Sequence, residues 1–313
     1  MESQVAAPEA QLQSVSGEGA TWISIDRPTP KQLHYLALLY PFHPLDMEDC
    51  LSRRQLPKID EYPDYLFILL HFPVFNKPAK VTQPSQVAIF LGRNYLVTVH
   101  QGDLKPLVNM FRTCQDQEEA RRNYLARDSG YLLYRIMDAL VDYCFPILNK
   151  VLTNLEEIED RVFDQKVDAI QDVARLRRDI AAQRRIVWEL RGVVSLLETR
   201  VQPFTKEDLS VYFGDVVDHV NRLWGTLDEC KETIEIYKDT DYVLTQDNLQ
   251  RVMTILTIVI AVMVPFNIIA GMYGMNVWLP GADAGPLPFF ILFLLMASMA
   301  GGMLYYFRRQ RWL

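Results

Sequence analysis

The sequence predicts an α+β/α membrane protein: an N-terminal α/β cytoplasmic domain, a helical hairpin with a long stalk helix, and two C-terminal transmembrane helices. Three observations carry that expectation. Two uncharged stretches, 252–272 and 289–307, close the chain. A proline-free helical pattern precedes and enters the first of them. Short β-type runs fill the region between Trp22 and Gln101.

Residues 1–21 are small, polar and free of aromatics, a composition that predicts a disordered tail. The α/β domain is expected over 22–128. Its β-type runs are 22–25, 65–70, 86–91 and 95–99, alternating with helical pieces at 31–40 and 44–52. Gly92-Arg93-Asn94 between the last two runs reads as a hairpin turn.

A helical hairpin is expected over 129–204. Its first half is acid-rich (Glu156, Glu157, Glu159, Asp160, Asp164, Asp168, Asp172) and its second base-rich (Arg175, Arg177, Arg178, Arg184, Arg185, Arg191), so the two arms would complement one another when folded back. Pro203 ends that region, and Thr205 to Asp208 offers a capping-box start for a stalk helix over 205–251. Along it Leu209, Phe213, Val216, Val220, Leu223, Leu227, Cys230, Ile234, Tyr237, Asp241, Leu244 and Asn248 form a heptad seam. A seam of that length needs partners. Self-association is the economical source, and packing against the chain's own hairpin is the alternative.

The 21 residues of 252–272 span the roughly 30 Å hydrocarbon core at about 1.5 Å each. The stretch 289–307 is the second span. Arg251 before the first and Arg308, Arg309 and Arg311 after the second flank a loop, 273–288, that has no Lys or Arg. Both termini, including the basic tail 308–313, are therefore expected in the cytoplasm. The absence of a signal or transit pattern in the first 20 residues points to the plasma (inner) membrane of a prokaryote.

The two spans differ. The second is almost purely apolar, with Ala297/Gly301 and Ser298/Gly302 spaced for close helix packing, and reads as the lipid-facing helix. The first carries Thr254, Thr257, Pro265 and Asn267 and presents Met253, Leu256, Ile260, Val264 and Asn267 along one face, the better pore wall. Two spans cannot enclose a pore, so transport would require an oligomer.

Other classes fit worse. Net charge is −7, and from residue 251 onward four arginines face one aspartate (+3), which leaves −10 for residues 1–250 and argues against nucleic acid as a partner. Four scattered cysteines and five histidines form no C-x-x-C or H-E-x-x-H pair, and no phosphate loop or nucleophile-base arrangement emerges. No catalytic residue is assigned, and an enzyme is not expected.

The stretch 265–276, PFNIIAGMYGMN, resembles the signature of the CorA family of divalent-cation channels, in which Gly-Met-Asn ends the first of two C-terminal spans. The tail RRQRWL is similar to the basic Trp-Leu ending of other members. Further similarity lies in His43-Pro44-Leu45 with Glu48-Asp49, in Tyr131 to Tyr134 with Asp138 to Asp142, and in Tyr212 to Val216 with Asp218-His219.

The resemblance implies a homopentamer in the lipid bilayer whose five first spans line a pore. It implies a pore mouth of Gly274, Met275 and Asn276 that receives the hydrated ion. It also implies regulatory metal sites between subunits, formed by Glu48 and Asp49 of one and Asp215 of its neighbour. Mg²⁺ is then both the transported and the regulatory ion, with Co²⁺ or Ni²⁺ as possible cargo. The loop carries Trp278 to Pro286 in place of the family's acidic Met-Pro-Glu-Leu type, with Asp283 its one charge. This departure leaves open a Zn²⁺ transporter of the related branch, coupled to protons. A non-conducting membrane scaffold that senses divalent ions is the outsider.

Overall fold

The computed structural model describes residues 12–52, 55–76, 78, 81–163, 170–275 and 287–310. The chain divides into two compact units, Met1–Lys238 and Asp239–Leu313.

The first unit begins with strands β1 (Gln13–Ser16) and β2 (Thr21–Asp26), then helices α1 (Pro30–Leu39) and α2 (Pro44–Leu51). Thr29 starts α1 through a capping box with Gln32, with Pro30 at its first position. The His43 ring caps α2, accepting from the Leu45 N–H at 3.3 Å. Strands β3 (Lys58–Glu61), β4 (Tyr65–Asn76), β5 (Val81–Gly92) and β6 (Tyr95–His100) complete a six-stranded sheet in the order β1-β2-β6-β5-β4-β3. Every pairing is antiparallel except β2 with β6. The hairpin expected at Gly92-Arg93-Asn94 is where β5 turns into β6, Leu91 opposite Leu96.

The alternation of side chains along β4 explains its continuous apolar run. Leu66, Ile68, Leu70 and Phe72 enter one core, whereas Tyr65, Phe67 and Leu69 enter another with Leu33, Leu36 and Met47 of α1 and α2. Both faces of the sheet are therefore buried. The first core is closed by α3 (Lys105–Asp116), α4 (Glu118–Leu125), α5 (Ser129–Asp142), α6 (Cys144–Phe163), α7 (Ile170–Arg200) and the start of α8 (Ser210–Tyr273). The second unit holds the rest of α8 and α9 (Leu287–Arg309).

Several expectations are corrected. The stretch 1–21, expected to be disordered, contains β1, which pairs with β2 and buries Val15. Backbone hydrogen bonds such as Gly19 N–H to Leu125 O at 2.8 Å hold it, and composition does not register those. The stalk helix begins at Ser210, not near 205, because Thr205 accepts from the Glu207 N–H in a tight turn and Asp208 accepts from the Ser210 N–H.

The heptad seam from Leu209 to Tyr237 packs against this chain's own elements. Phe213, Val216, Val220, Leu223 and Leu227 join the large core, and Cys230, Ile234 and Tyr237 join Val151, Ile158, Val173 and Ile180 of the hairpin. The intramolecular alternative is the one realised over that length. The basic arm also finds its partners mainly on α8: Arg177 reaches Glu235 and Arg184 reaches Asp228, both at 2.5 Å, and Arg191 donates to Asn221. Across the hairpin itself the described ion pair is Arg161 with Asp172.

Candidate divalent-cation sites

Asp215 and His219 stand four residues apart on α8, on one helix face just off the buried Phe213, Val216 and Val220. Asp138 of α5 meets them. One ligand atom from each of the three lies within 4.8 Å of the others, the one such set among the described residues. The α5–α8 contact is set by rings: Tyr134 lies 4.9 Å from Tyr212 and 6.2 Å from Phe213.

The cluster is electrostatically unsatisfied. Asp142 places a carboxylate oxygen 3.6 Å from His219 Nδ1, and Asp215 places one 3.9 Å from Nε2. Buried His219 Nδ1 has no hydrogen bond. Burial first, then the charges of Asp142 and Asp215, pushes the Asp138 pKa upward, with Arg135 opposing. Carboxylates that repel one another are relieved by a bridging cation. Two carboxylates and an imidazole suit first-row divalent ions, and Mg²⁺ through the carboxylates and retained water.

The other expected regulatory residues lie on α2. Glu48 is exposed, whereas Asp49 is buried and its carboxylate contacts Lys58 Nζ at 2.7 Å. Lys58 also holds Asp60 at 2.6 Å. Burial works against the Lys58 ammonium, but its two carboxylate partners outweigh it and raise its pKa. Within one chain, then, Asp49 already has a counter-ion, and Asp215 is grouped with Asp138 and His219. The sequence places Asp138 and His219 in stretches similar to the family but assigns them no role. The signal was the four-residue spacing of Asp138/Asp142 and of Asp215/His219, which matters only once α5 and α8 are known to touch.

In the second unit, the uncharged stretch of α8 has one covered face. Ile258 is buried and Thr254, Ala261, Val262, Pro265 and Ile269 are half-buried. Met253, Leu256, Ile260, Val264 and Asn267 are all exposed and lie about half a turn away around the helix. The Thr254 and Thr257 hydroxyls donate to the carbonyls of Gln250 and Met253 at 2.8 Å, so both are satisfied within the helix. The helix ends as Gly274 N–H bonds Ala270 O and Met275 N–H bonds Met272 O. Asn276 and Asp283 lie outside the described residues.

On α9 the half-buried face is Leu292, Met296, Met299, Ala300, Met303 and Phe307. The small-residue pairs expected to serve helix packing, Ala297/Gly301 and Ser298/Gly302, are exposed, and a Cβ on either glycine would meet nothing within 4 Å. Both α8 and α9 are long and apolar enough to cross a membrane.

Comparison with known proteins agrees with this architecture. The chain is 27% identical over 276 residues to the cobalt/magnesium transport protein CorA of Thermotoga maritima, covering 88% of this chain and 78% of that protein. It is also 21% identical to the zinc transport protein ZntB of Pectobacterium carotovorum, covering 98% and 92%. The complete structure of the CorA magnesium transporter from Methanocaldococcus jannaschii superposes with a TM-score of 0.80 at 25% identity, covering 94% of this chain and 92% of that one. The model of the CorA-like Mg2+ transporter protein family matches residues 17–309, and the chain belongs to that family of divalent-cation transporters.

Proposed function

We propose that this protein is a Mg²⁺ channel, also passing Co²⁺ or Ni²⁺, that works as a homopentamer in a prokaryotic plasma membrane. The observation that carries the reading is the exposed face of α8, Met253-Leu256-Ile260-Val264-Asn267, which lies opposite the face covered within the chain and runs toward Gly274 and Met275. Five such faces turned inward make an apolar constriction that gates by dewetting, with Asn267 as a polar ring. Gly274, Met275 and Asn276 form the outer mouth, where neutral amides contact the hydration shell of an ion that gives up water reluctantly. Both termini are cytoplasmic and the 273–288 loop faces outward.

In this reading cytoplasmic Mg²⁺ closes the channel. The regulatory ion sits at Asp215, with Asp138 and His219 beside it and Glu48 and Asp49 supplied by the neighbouring subunit. Asp49 joins only by sharing itself with Lys58, which makes it a weaker ligand than exposed Glu48. The imidazole of His219 favours one competing reading, a Zn²⁺ transporter, since imidazole suits Zn²⁺ better than Mg²⁺.

Ion flux into liposomes holding purified protein and a trapped indicator separates the two. Mg²⁺ entry that needs no pH gradient and disappears in Asn276→Ala supports the channel. Zn²⁺ entry that follows a proton gradient moves the protein to the zinc branch. No flux of any ion through an intact oligomer leaves the sensing scaffold.

A further inference from the structure

A cleft of about 560 Å³ opens between α3, α4 and α5. Three guanidinium groups, Arg122, Arg127 and Arg135, and one carboxylate, Glu119, line it, a surplus of +2 in a chain whose net charge is −7. Thr113 and Asn123 add neutral polar groups.

Two of the three guanidiniums lie against aromatic rings. Arg135 is half-buried, lies 4.8 Å from the centroid of the Tyr124 ring and donates to the Tyr131 hydroxyl at 3.3 Å. Among the described residues no carboxylate comes within ion-pair distance of it, whereas Arg122 holds Glu118 at 2.7 Å. Arg127 lies 4.4 Å from the Tyr131 ring centroid and contacts Glu207 at 3.2 Å, a pair with both side chains nearly half exposed and therefore readily exchanged. Planar guanidiniums set against aromatic faces, one with no described carboxylate within ion-pair distance, are the arrangement that recognises phosphate oxygens. The volume is that of a small-molecule site.

We propose that this cleft binds a polyphosphate anion, as inorganic pyrophosphate or as the phosphate tail of a nucleotide. The site is coupled to the stalk. Glu207, the partner that the anion displaces from Arg127, lies three residues before α8, and the Tyr131 ring stands 6.1 Å from Tyr212 in the first turn of α8. Occupancy therefore acts on the segment that also carries Asp215 and His219.

The test is titration calorimetry on the full-length protein in detergent, with a chelator removing divalent cations, using pyrophosphate, ATP and AMP as probes. Saturable binding of pyrophosphate or ATP at one site per chain is expected, with AMP weaker. Preference between pyrophosphate and ATP tells which source the cleft takes. Arg135→Gln should weaken binding by about tenfold. Asn123→Asp, an exposed change, should also weaken it by placing a carboxylate in the cleft. Lys231→Gln, which removes an exposed charge elsewhere, should change it less than about twofold. Absence of saturable binding, or an equal loss in the Lys231 variant, overturns the proposal.

Discussion

Helix α8 lives in two different environments. From Leu209 to Tyr237 its apolar seam is buried by the same chain, each of Phe213, Val216, Val220, Leu223 and Leu227 being at most 1% exposed. Beyond Lys238 the helix passes through a polar stretch into its uncharged span, and Tyr242, Val243, Leu249, Met253, Leu256 and Ile260 are each more than half exposed. One helix thus has a stretch completed by its own chain and a stretch of which the chain covers a single face. Burial of a Leu- or Phe-sized side chain is worth about 1.5–3 kcal/mol, so the first stretch supplies folding energy and the second is available to lipid and to other copies.

The largest break in that contrast comes from cutting the buried seam. Phe213→Ala should cost about 3–5 kcal/mol in chemical unfolding of the first unit, whereas Leu256→Ala should leave that transition within about 0.5 kcal/mol. Equal costs at the two positions would erase the distinction.

Next in size is Lys58→Met, which strips Asp49 and Asp60 of their shared cation. Since Lys58 is partly exposed, the loss should be about 1–2 kcal/mol in the same unfolding experiment. The Lys58 pKa is raised in the folded state, so its contribution is complete below about pH 10 and is lost only as pH rises through the folded value. The variant's deficit should accordingly be constant through neutral pH.

Asp138→Asn acts in the opposite direction. The folded-state pKa of Asp138 is raised, so the folded protein binds its proton more tightly than the unfolded one, and the ionised group costs stability as pH rises through that value. Removing the charge should raise Tm by about 2–4 °C in chelator at neutral pH. It should also abolish the stabilisation that Mn²⁺ or Mg²⁺ gives the parent. A variant that keeps that stabilisation would remove Asp138 from the metal cluster. The smallest effect is expected at Gly301→Ala, where added volume meets nothing within the chain and the change in Tm should stay under about 2 °C.

What the sequence made legible followed from periodicity and charge. The apolar runs of β4, β5 and β6 and the two uncharged spans are patterns that a single element writes by itself. The edge strand at Gln13–Ser16 was hidden because its stability comes from backbone pairing that small polar residues do not advertise. The seam's periodicity was visible, but period alone does not say whether the partner helix belongs to the same chain. The acid and base arms show the same limit: Arg177 and Arg184 read as seeking carboxylates, and Glu235 and Asp228 lie on a different helix from the one expected. At the candidate site, Asp215 could be singled out from the family resemblance. Its neighbours Asp138 and His219 became a group only through the packing of α5 on α8.

In the proposed channel the exposed face of α8 lines the ion path. Asn267→Cys and Ile269→Cys sit two residues apart at nearly the same depth, one on the exposed face and one on the covered face. The four native cysteines are buried, which leaves the introduced thiol as the reactive one. Mg²⁺ flux into liposomes should be blocked by a charged methanethiosulfonate in Asn267→Cys and unaffected in Ile269→Cys. Block at Ile269→Cys with Asn267→Cys untouched would contradict the account.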